Sequence, residues 1–195
     1  MSRDERRAYT NRLRPYLTAS LLLFLAGIAA GLVIVSHHPA LGDQFVQTIT
    51  TFTSAFSGMP RLQLAGAILL NNAVKTLLAI VLGVILGIVP VIFLLGNGIA
   101  LAVAWSLSSR GRGPWLSLLS ILPHGVIELP AVFLGTSIGL MLGAQALQRL
   151  IGRSETAIGA ELLQGLRYFS SVLVPLLFLA AMVEAFVTTA LISPR

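Results

Sequence analysis

The chain lacks cysteine and is poor in charge. Among 195 residues there are 13 Lys or Arg and 7 Asp or Glu, so charged residues make up 10%, whereas soluble domains carry about 25%. The absence of cysteine excludes disulfides, thiol nucleophiles and cysteine-ligated metal sites. Hydrophobic residues make up 56% of the chain, and the mean hydropathy is +0.90. A chain this apolar would aggregate in water, so we expect it to lie in a membrane.

Five apolar stretches are each long enough to cross a bilayer as a helix, which takes about 20 residues. They cover residues 17–35, 62–86, 89–107, 126–144 and 169–192. The first is too long for the core of a signal peptide, so we expect a retained anchor. A breaker at residues 87–90 separates the second from the third. The sequence therefore predicts an all-α transmembrane bundle formed by residues 16–195, after a basic arm at residues 1–15.

Basic residues are concentrated before the first span. Five of them fall within fourteen residues, namely Arg3, Arg6, Arg7, Arg12 and Arg14. With this arm inside the cell, eight arginines face the cytoplasm and four face outward. That bias predicts a multi-pass protein of the cell membrane with a cytoplasmic N-terminus and an external C-terminus. We expect the arm to attract anionic lipid and not nucleic acid, because interleaved aromatics and a wider basic surface are missing.

Three shorter segments are predicted to lie at the membrane surface or against the bundle. Residues 115–122 are too few to cross, which predicts a re-entrant or interfacial half-helix before span four. The first outer loop has helical apolar spacing at Phe45, Ile49, Phe52 and Phe56. It predicts an uncharged amphipathic helix on the outer leaflet, with packing against other spans as the alternative. A weaker pattern of the same kind involves Ile158, Leu162 and Leu166.

Glycines recur four residues apart in three places. The sets are Gly27 with Gly31, Gly83 with Gly87, and Gly135 with Gly139 and Gly143. Glycines at this spacing share one helix face and allow two backbones to approach closely. The three in span four predict that this helix lies at the centre of the bundle or at a dimer seam.

Seven polar residues interrupt the apolar spans and predict a buried polar centre. They are Asn71, Asn72, Lys75, Asn97, His124, Glu128 and Glu184. An ionisable side chain in a bilayer costs several kcal/mol unless it has a partner or a water-filled site. A rise of about 1.5 Å per residue puts both carboxylates in the outer half, with Glu184 the better placed to meet Lys75. Asn71 shares a helix face with Lys75 and would orient its ammonium group.

His124 and Glu128 are four residues apart and share a face if helix continues through Gly125. Such a pair is typical of half a metal site, a proton relay or a structural hydrogen bond. Two ligands are too few for a metal site, so we predict no metal and no other cofactor. The chain also contains no nucleophile elbow or catalytic triad pattern. We therefore expect that it is not an enzyme and that structural hydrogen bonding or backbone capping explains the pair.

Three blocks resemble the stage II sporulation protein M family of integral membrane proteins. They are Asn71-Asn72 with Gly83 and Gly87, then Asn97-Gly98, then the run PHGVIELPA at residues 123–131 followed by Gly135 and Gly139. Together they cover about residues 66–143. The resemblance implies a polytopic helical fold with a shared polar centre and no established chemistry. The family's best-known members act in spore-forming bacteria, where they hold peptidoglycan-degrading partners at the membrane during engulfment. Related proteins occur in bacteria and archaea that do not sporulate, so the family name need not describe the role of this chain.

Two functions follow from this pattern. The first is a membrane scaffold or assembly protein that organises partner proteins, cell-envelope enzymes among them by the resemblance. The second is a small transporter or channel that uses Lys75, His124, Glu128 and Glu184. Small size and few ionisable residues per span favour the scaffold. A homodimer would serve either function, because five spans with glycine seams make a thin bundle.

Overall fold

A computed structural model describes residues 1–38, 40–44, 47, 54 and 58–188. Within these ranges the side chains are described except at residues 112, 118–127, 187 and 188. The apolar positions of the amphipathic helix predicted in the first outer loop, Phe45, Ile49, Phe52 and Phe56, lie outside the described residues. The predicted role of the His124 side chain also lies outside them.

The described residues form helices and turns and contain no strand. The helices are α1 (Arg3–His37), α2 (Arg61–Val81), α3 (Ile88–Arg112), α4 (Pro114–Leu150), α5 (Ile158–Tyr168) and α6 (Val174–Val183). A 3-10 turn (Leu82–Val84) follows α2, and π turns (Phe169–Leu173 and Glu184–Thr188) precede and follow α6. Helices α5 and α6 therefore make one continuous rod. Five helical segments are long and apolar enough to cross a membrane, which confirms the predicted number of spans.

Helix α1 begins inside the basic arm, at Arg3. The Ser2 hydroxyl accepts a hydrogen bond from the Glu5 backbone N–H (3.2 Å), and the Ser2 N–H donates to a Glu5 carboxylate oxygen (2.7 Å). This reciprocal pair is a capping box, which satisfies amide groups that have no partner within the first turn. The arm is thus a helical extension of the first span.

The turn between α2 and α3 contains two residues with positive φ, Leu86 (51°) and Gly87 (74°). Glycine adopts this conformation without a steric penalty, which explains the break expected at residues 87–90. Pro90 then lies in the first turn of α3, where a missing N–H removes no helical hydrogen bond.

Helix α4 runs for 37 residues without a break. The segment 115–122, predicted as a separate half-helix, is helical, but the helix continues through Pro123 into span four. A proline in a helix removes one hydrogen bond and bends the axis, and it does not have to end the helix. At about 1.5 Å per residue α4 is about 55 Å long, more than a hydrocarbon core of about 30 Å. The re-entrant or interfacial placement of its first turns stays a prediction.

Helix α4 is the central helix of the bundle. It packs against α1, α2, α3, α5 and α6. Of the apolar window in α4, 56% is buried, against 22–28% in the other four candidate spans. This confirms the central position expected from its three glycines.

The best-packed apolar core lies where α1 begins and α4 ends. We call this the basic end of the bundle and the opposite one the far end. Buried side chains from α1, α2, α4, α5 and the π turn meet in this core, namely Tyr9, Leu13, Ile80, Ile138, Met141, Leu142, Tyr168 and Leu173. The core therefore brings residues near the N-terminus, such as Tyr9, into contact with residues late in the chain, such as Tyr168.

Candidate functional site

Glycines of α4 touch the backbone of α2 and its turn directly. A Cβ atom added at Gly139 would meet the carbonyl oxygen of Ala79, and one added at Gly83 would meet the backbone of Gly139. One turn further, a Cβ at Gly143 would meet the backbone of Gly87. These contacts leave no room for a side chain, so they hold α2 and α4 at a fixed distance and stagger.

A second glycine seam joins α1 to α3. A Cβ added at Gly27 would lie 2.5 Å from the carbonyl oxygen of Leu95, and one at Gly31 would lie 2.9 Å from that of Ile99. Gly98 in turn approaches the carbonyl oxygen of Phe24. All three glycine sets that the sequence singled out thus serve packing within one chain.

The asparagine pair lies on α2 next to the central helix. Asn71 donates from Nδ2 to Oδ1 of Asn72 (3.1 Å), and Asn72 is buried with 8% exposure. Lys75 differs from the prediction of a buried residue, because its side chain is exposed. The buried face of α2 is centred on Asn72, Thr76 and Gly83, and helical geometry turns Lys75 about 80° away from that centre. Lys75 therefore lies at the rim of the polar centre.

The two carboxylates lie on elements that pack against α2. Glu128 belongs to α4, and Glu184 opens the last π turn; both side chains are half-buried. A Cβ atom added at Gly135 would meet the side chains of Thr76 and Leu173. These three residues therefore lie at about the same height along the bundle. Glu184 follows Leu173 by about 16 Å along the helix, whereas Glu128 precedes Gly135 by about 10 Å. The two carboxylates therefore lie at different heights along the bundle, and the expected pairing of Glu184 with Lys75 stays a prediction.

Asn97 lies on the face of α3 that packs on α4. Pro90 approaches the Gly139 position, with Cγ 3.1 Å from where a Cβ would be, and Asn97 follows two helical turns later on the same face. Its Nδ2 donates to the carbonyl oxygen of Phe93 (2.7 Å). By the count of about 1.5 Å per residue, four predicted residues lie within roughly 6 Å of one another in height along the bundle, namely Asn71, Asn72, Asn97 and Glu128. We call them the polar cluster.

Sequence reasoning missed a hydroxyl cluster between α1 and α4. Ser20 Oγ lies 3.1 Å from Ser137 Oγ and 3.2 Å from Thr136 Oγ1, and all three side chains are fully buried. Ser137 also donates to the carbonyl oxygen of Phe133 (2.5 Å). The hydroxyls join the two helices by hydrogen bonds in an apolar setting. The sequence does contain a signal for this cluster, because Thr136 and Ser137 lie between the packing glycines Gly135 and Gly139.

At the basic end, α5 is docked on the start of α1. The rings of Tyr9 and Tyr168 are 5.2 Å apart at their centroids, and Thr10 Oγ1 lies 2.9 Å from Tyr168 Oη. Arg12 forms an ion pair with Glu161 (2.8 Å). The weaker amphipathic pattern at Ile158, Leu162 and Leu166 is therefore a helix that packs against other helices of the bundle.

The ion pair between Arg12 and Glu161 is expected to contribute little. The Arg12 side chain is 43% exposed and that of Glu161 17% exposed, and exposed pairs of this kind contribute about 0–1 kcal/mol. In a double-mutant cycle with Arg12→Ala and Glu161→Ala, we expect a coupling energy below about 1 kcal/mol that falls further in high salt. A coupling of several kcal/mol that is insensitive to salt would contradict this expectation.

Five helices are long and apolar enough to cross a membrane, and four of them pack around a glycine-rich fifth, which defines a polytopic helical membrane protein. The chain belongs to the stage II sporulation protein M family, whose family model matches residues 20–189. This match confirms the resemblance seen in the three blocks and extends it to the first and last spans. No curated protein and no solved structure matches the chain.

Proposed function

We propose that the protein is a membrane scaffold that holds partner proteins together in the cell membrane and carries out no chemical reaction itself. The observation that carries this proposal is the direct backbone contact of α4 with α2 and its turn at Gly83, Gly87, Gly139 and Gly143. Cores packed this closely switch between discrete arrangements and do not deform continuously. A rigid bundle of this kind suits the fixed presentation of binding surfaces.

The apolar core at the basic end supports the scaffold over a transporter or channel. Ile80, Ile138 and Leu142 are fully buried there, directly between the polar cluster and the basic end. A conduction path from the polar cluster to the cytoplasm would have to open this core. The amides of Asn71 and Asn97 donate within their own helices, as structural polar residues do in lipid.

The proposed orientation puts the basic end in the cytoplasm and the C-terminus outside. Exposed arginines gather at that end, namely Arg3, Arg7, Arg14, Arg149, Arg153 and Arg167. One face of α1 carries Arg3, Arg7 and Arg14. Further along the helix, the same face carries the exposed side chains of Leu21 and Leu25. This continuity supports contact of the stripe with anionic lipid headgroups. Envelope enzymes are the partners that family membership favours.

Glu128→Gln distinguishes the two functions. A glutamine keeps the size and hydrogen-bonding capacity of the side chain, so a scaffold should lose less than about 1 kcal/mol of unfolding free energy. We expect the full-length variant, crosslinked in native membranes and analysed by mass spectrometry, to give the same specific adducts as the wild type. Gly139→Leu is the control that should lose them.

The transporter predicts a different result from the same pair of variants. Purified protein in vesicles would then carry an ion or solute flux that Glu128→Gln abolishes while thermal stability is kept. Such a flux, or the absence of any specific adduct from wild-type membranes, would contradict the scaffold.

A further inference from the structure

Three contacts fix the heights of α1, α2 and α3 relative to the central helix α4. Ser20 Oγ of α1 lies 3.1 Å from Ser137 Oγ. A Cβ atom added at Gly83 would meet the backbone of Gly139, and Pro90 Cγ lies 3.1 Å from where a Cβ of the same Gly139 would be. From these contacts, each position on α1, α2 or α3 converts into a height on α4 at about 1.5 Å per residue.

The membrane midplane follows from these heights. The apolar stretches 17–35, 62–86 and 89–107 have their midpoints at Ala26, Val74 and Gly98. Counted from the three contacts, all three midpoints lie within about two residues of the height of Ala131. Because an apolar stretch is most stable when it is centred in the bilayer, Ala131 marks the midplane.

Two leucines of α4 lie beyond the lipid at the basic end. Leu147 and Leu150 are about 24 Å and 28 Å from the height of Ala131. The hydrocarbon ends about 15 Å from the midplane and the headgroup layer about 7 Å further out. The two leucines are nonetheless 46% and 73% exposed. Acyl chains do not reach this height, so lipid does not cover these side chains.

The two leucines belong to a larger apolar surface. A Cβ atom added at Gly143 would lie 2.7 Å from the carbonyl carbon of Leu86, and Leu147 follows Gly143 by one turn on the same face of α4. Leu86 and Ile151 are also exposed. We call Leu86, Leu147, Leu150 and Ile151 the basic-end patch. Exposed apolar side chains that group together outside lipid are typical of a protein-binding surface.

The surroundings of the basic-end patch are positively charged. Residues 1–16 and 144–168 contain eight arginines and four carboxylates. Arg149 and Arg153 lie next to the patch in sequence and are exposed. The Arg149 guanidinium also donates to the carbonyl oxygen of Thr156 (3.0 Å), which holds it at the end of α4. This charge favours a partner that brings carboxylates beside its apolar side chains.

We propose that the basic-end patch binds an amphipathic helix of a partner protein, whose apolar face is flanked by glutamates or aspartates. Apolar side chains of this helix cover Leu147 and Leu150, and its carboxylates pair with Arg149 and Arg153. The inference rests on the proposed scaffold function and names the surface that it would use. A second copy of this chain would bring the same arginines against each other. An anionic lipid would neutralise the arginines but leave the two leucines in water.

The probe is a fluorescent synthetic helix with leucines on one face and glutamates on the other, compared with a version that has lysines in place of the glutamates. Full-length protein is held in nanodiscs of phosphatidylcholine, and empty nanodiscs give the binding to lipid alone. After this subtraction, we expect the wild type to bind the glutamate helix about tenfold more tightly than the lysine helix. Leu150→Ser should weaken binding of the glutamate helix about tenfold, because one leucine is no longer buried.

Leu62→Ser is the matched control. Leu62 is 72% exposed, almost the same as Leu150, but it lies at the far end of the bundle. This variant should bind the glutamate helix as the wild type does, and thermal unfolding checks that both variants are folded. Equal binding of the glutamate helix by the wild type and Leu150→Ser would overturn the proposal, and so would equal binding of the two helices by the wild type.

A lipid ligand gives a different result in nanodiscs that also contain phosphatidylglycerol. The wild type would then enrich phosphatidylglycerol around itself, Leu150→Ser would not, and neither helix would bind. That outcome would assign the basic-end patch to lipid and would also overturn the proposal.

The result is separable from that of the scaffold proposal. If the glutamate helix does not bind while the crosslinked adducts in native membranes remain in both the wild type and Leu150→Ser, the scaffold stands and the assignment of the patch is wrong. If the glutamate helix binds as expected but native membranes give no adduct, the patch binds acidic helices and the scaffold proposal is wrong.

Discussion

Gly139→Ala is expected to lower the free energy of unfolding by about 3 kcal/mol, at the upper end of what an overpacked core loses. The added methyl group would meet the carbonyl oxygen of Ala79 and lie a few tenths of an ångström too close to Pro90, whose Cγ would be 3.1 Å away. Backbone atoms cannot rotate aside, so α2 and α4 must separate. For a chain of this length such a loss lowers the Tm by roughly 6–12 °C. Thermal unfolding in detergent, followed by helical circular dichroism, measures it.

Gly96→Ala is the matched control, because Gly96 also lies inside a candidate span. A Cβ at Gly96 would meet no atom within 4 Å, and alanine stabilises a helix by about 1 kcal/mol relative to glycine. We expect this variant to be as stable as the wild type or slightly more stable. Equal destabilisation at positions 96 and 139 would show that the loss of glycine itself, and not backbone contact, determines stability.

The glycine seams show which features of the fold can be predicted from sequence. Spacing alone identified Gly135, Gly139 and Gly143 as a packing face, because every fourth residue of a helix lies on one side whatever its environment. Spacing could not identify the opposing residues. That Gly83 and Gly87 are their partners depends on the tight turn at residues 85–88, which brings the end of α2 beside α4.

The polar residues show where sequence reasoning fails. Depth could be estimated for Lys75 by counting along one helix, but the stagger between helices is set by packing, so counting along single helices cannot decide which carboxylate lies nearer Lys75. The rotation of α2 that leaves Lys75 exposed follows from the same packing. Ser20 and its hydroxyl partners were overlooked for another reason. A hydroxyl can bond to its own helix, so its presence in a span does not by itself indicate a partner.

Tyr9→Ala is expected to cost about 3–5 kcal/mol, the usual loss when a buried aromatic ring is truncated. Tyr9 is 1% exposed and belongs to the apolar core of the basic end. Its ring packs on that of Tyr168 and lies under the Arg12 guanidinium, 5.8 Å from its centroid. The variant removes these contacts from a segment that the sequence presents as a basic arm. If the arm only attracted lipid, truncating Tyr9 would leave the Tm of the purified protein unchanged.

The two tyrosine hydroxyls allow a sharper test of the same core. Within the part of the chain that the structure describes, Tyr9 Oη is buried without a hydrogen-bond partner, whereas Tyr168 Oη lies 2.9 Å from Thr10 Oγ1. Removing a buried hydroxyl that has no partner relieves a desolvation penalty, and removing a bonded one costs about 1 kcal/mol. We therefore expect Tyr9→Phe to be at least as stable as the wild type, Tyr168→Phe to be less stable, and Tyr9→Ala to be the least stable of the three. A Tyr9→Phe variant that is less stable than Tyr168→Phe would mean that the Tyr9 hydroxyl holds a bond, and the docking of α1 on α5 would then depend on polar contacts more than on ring packing.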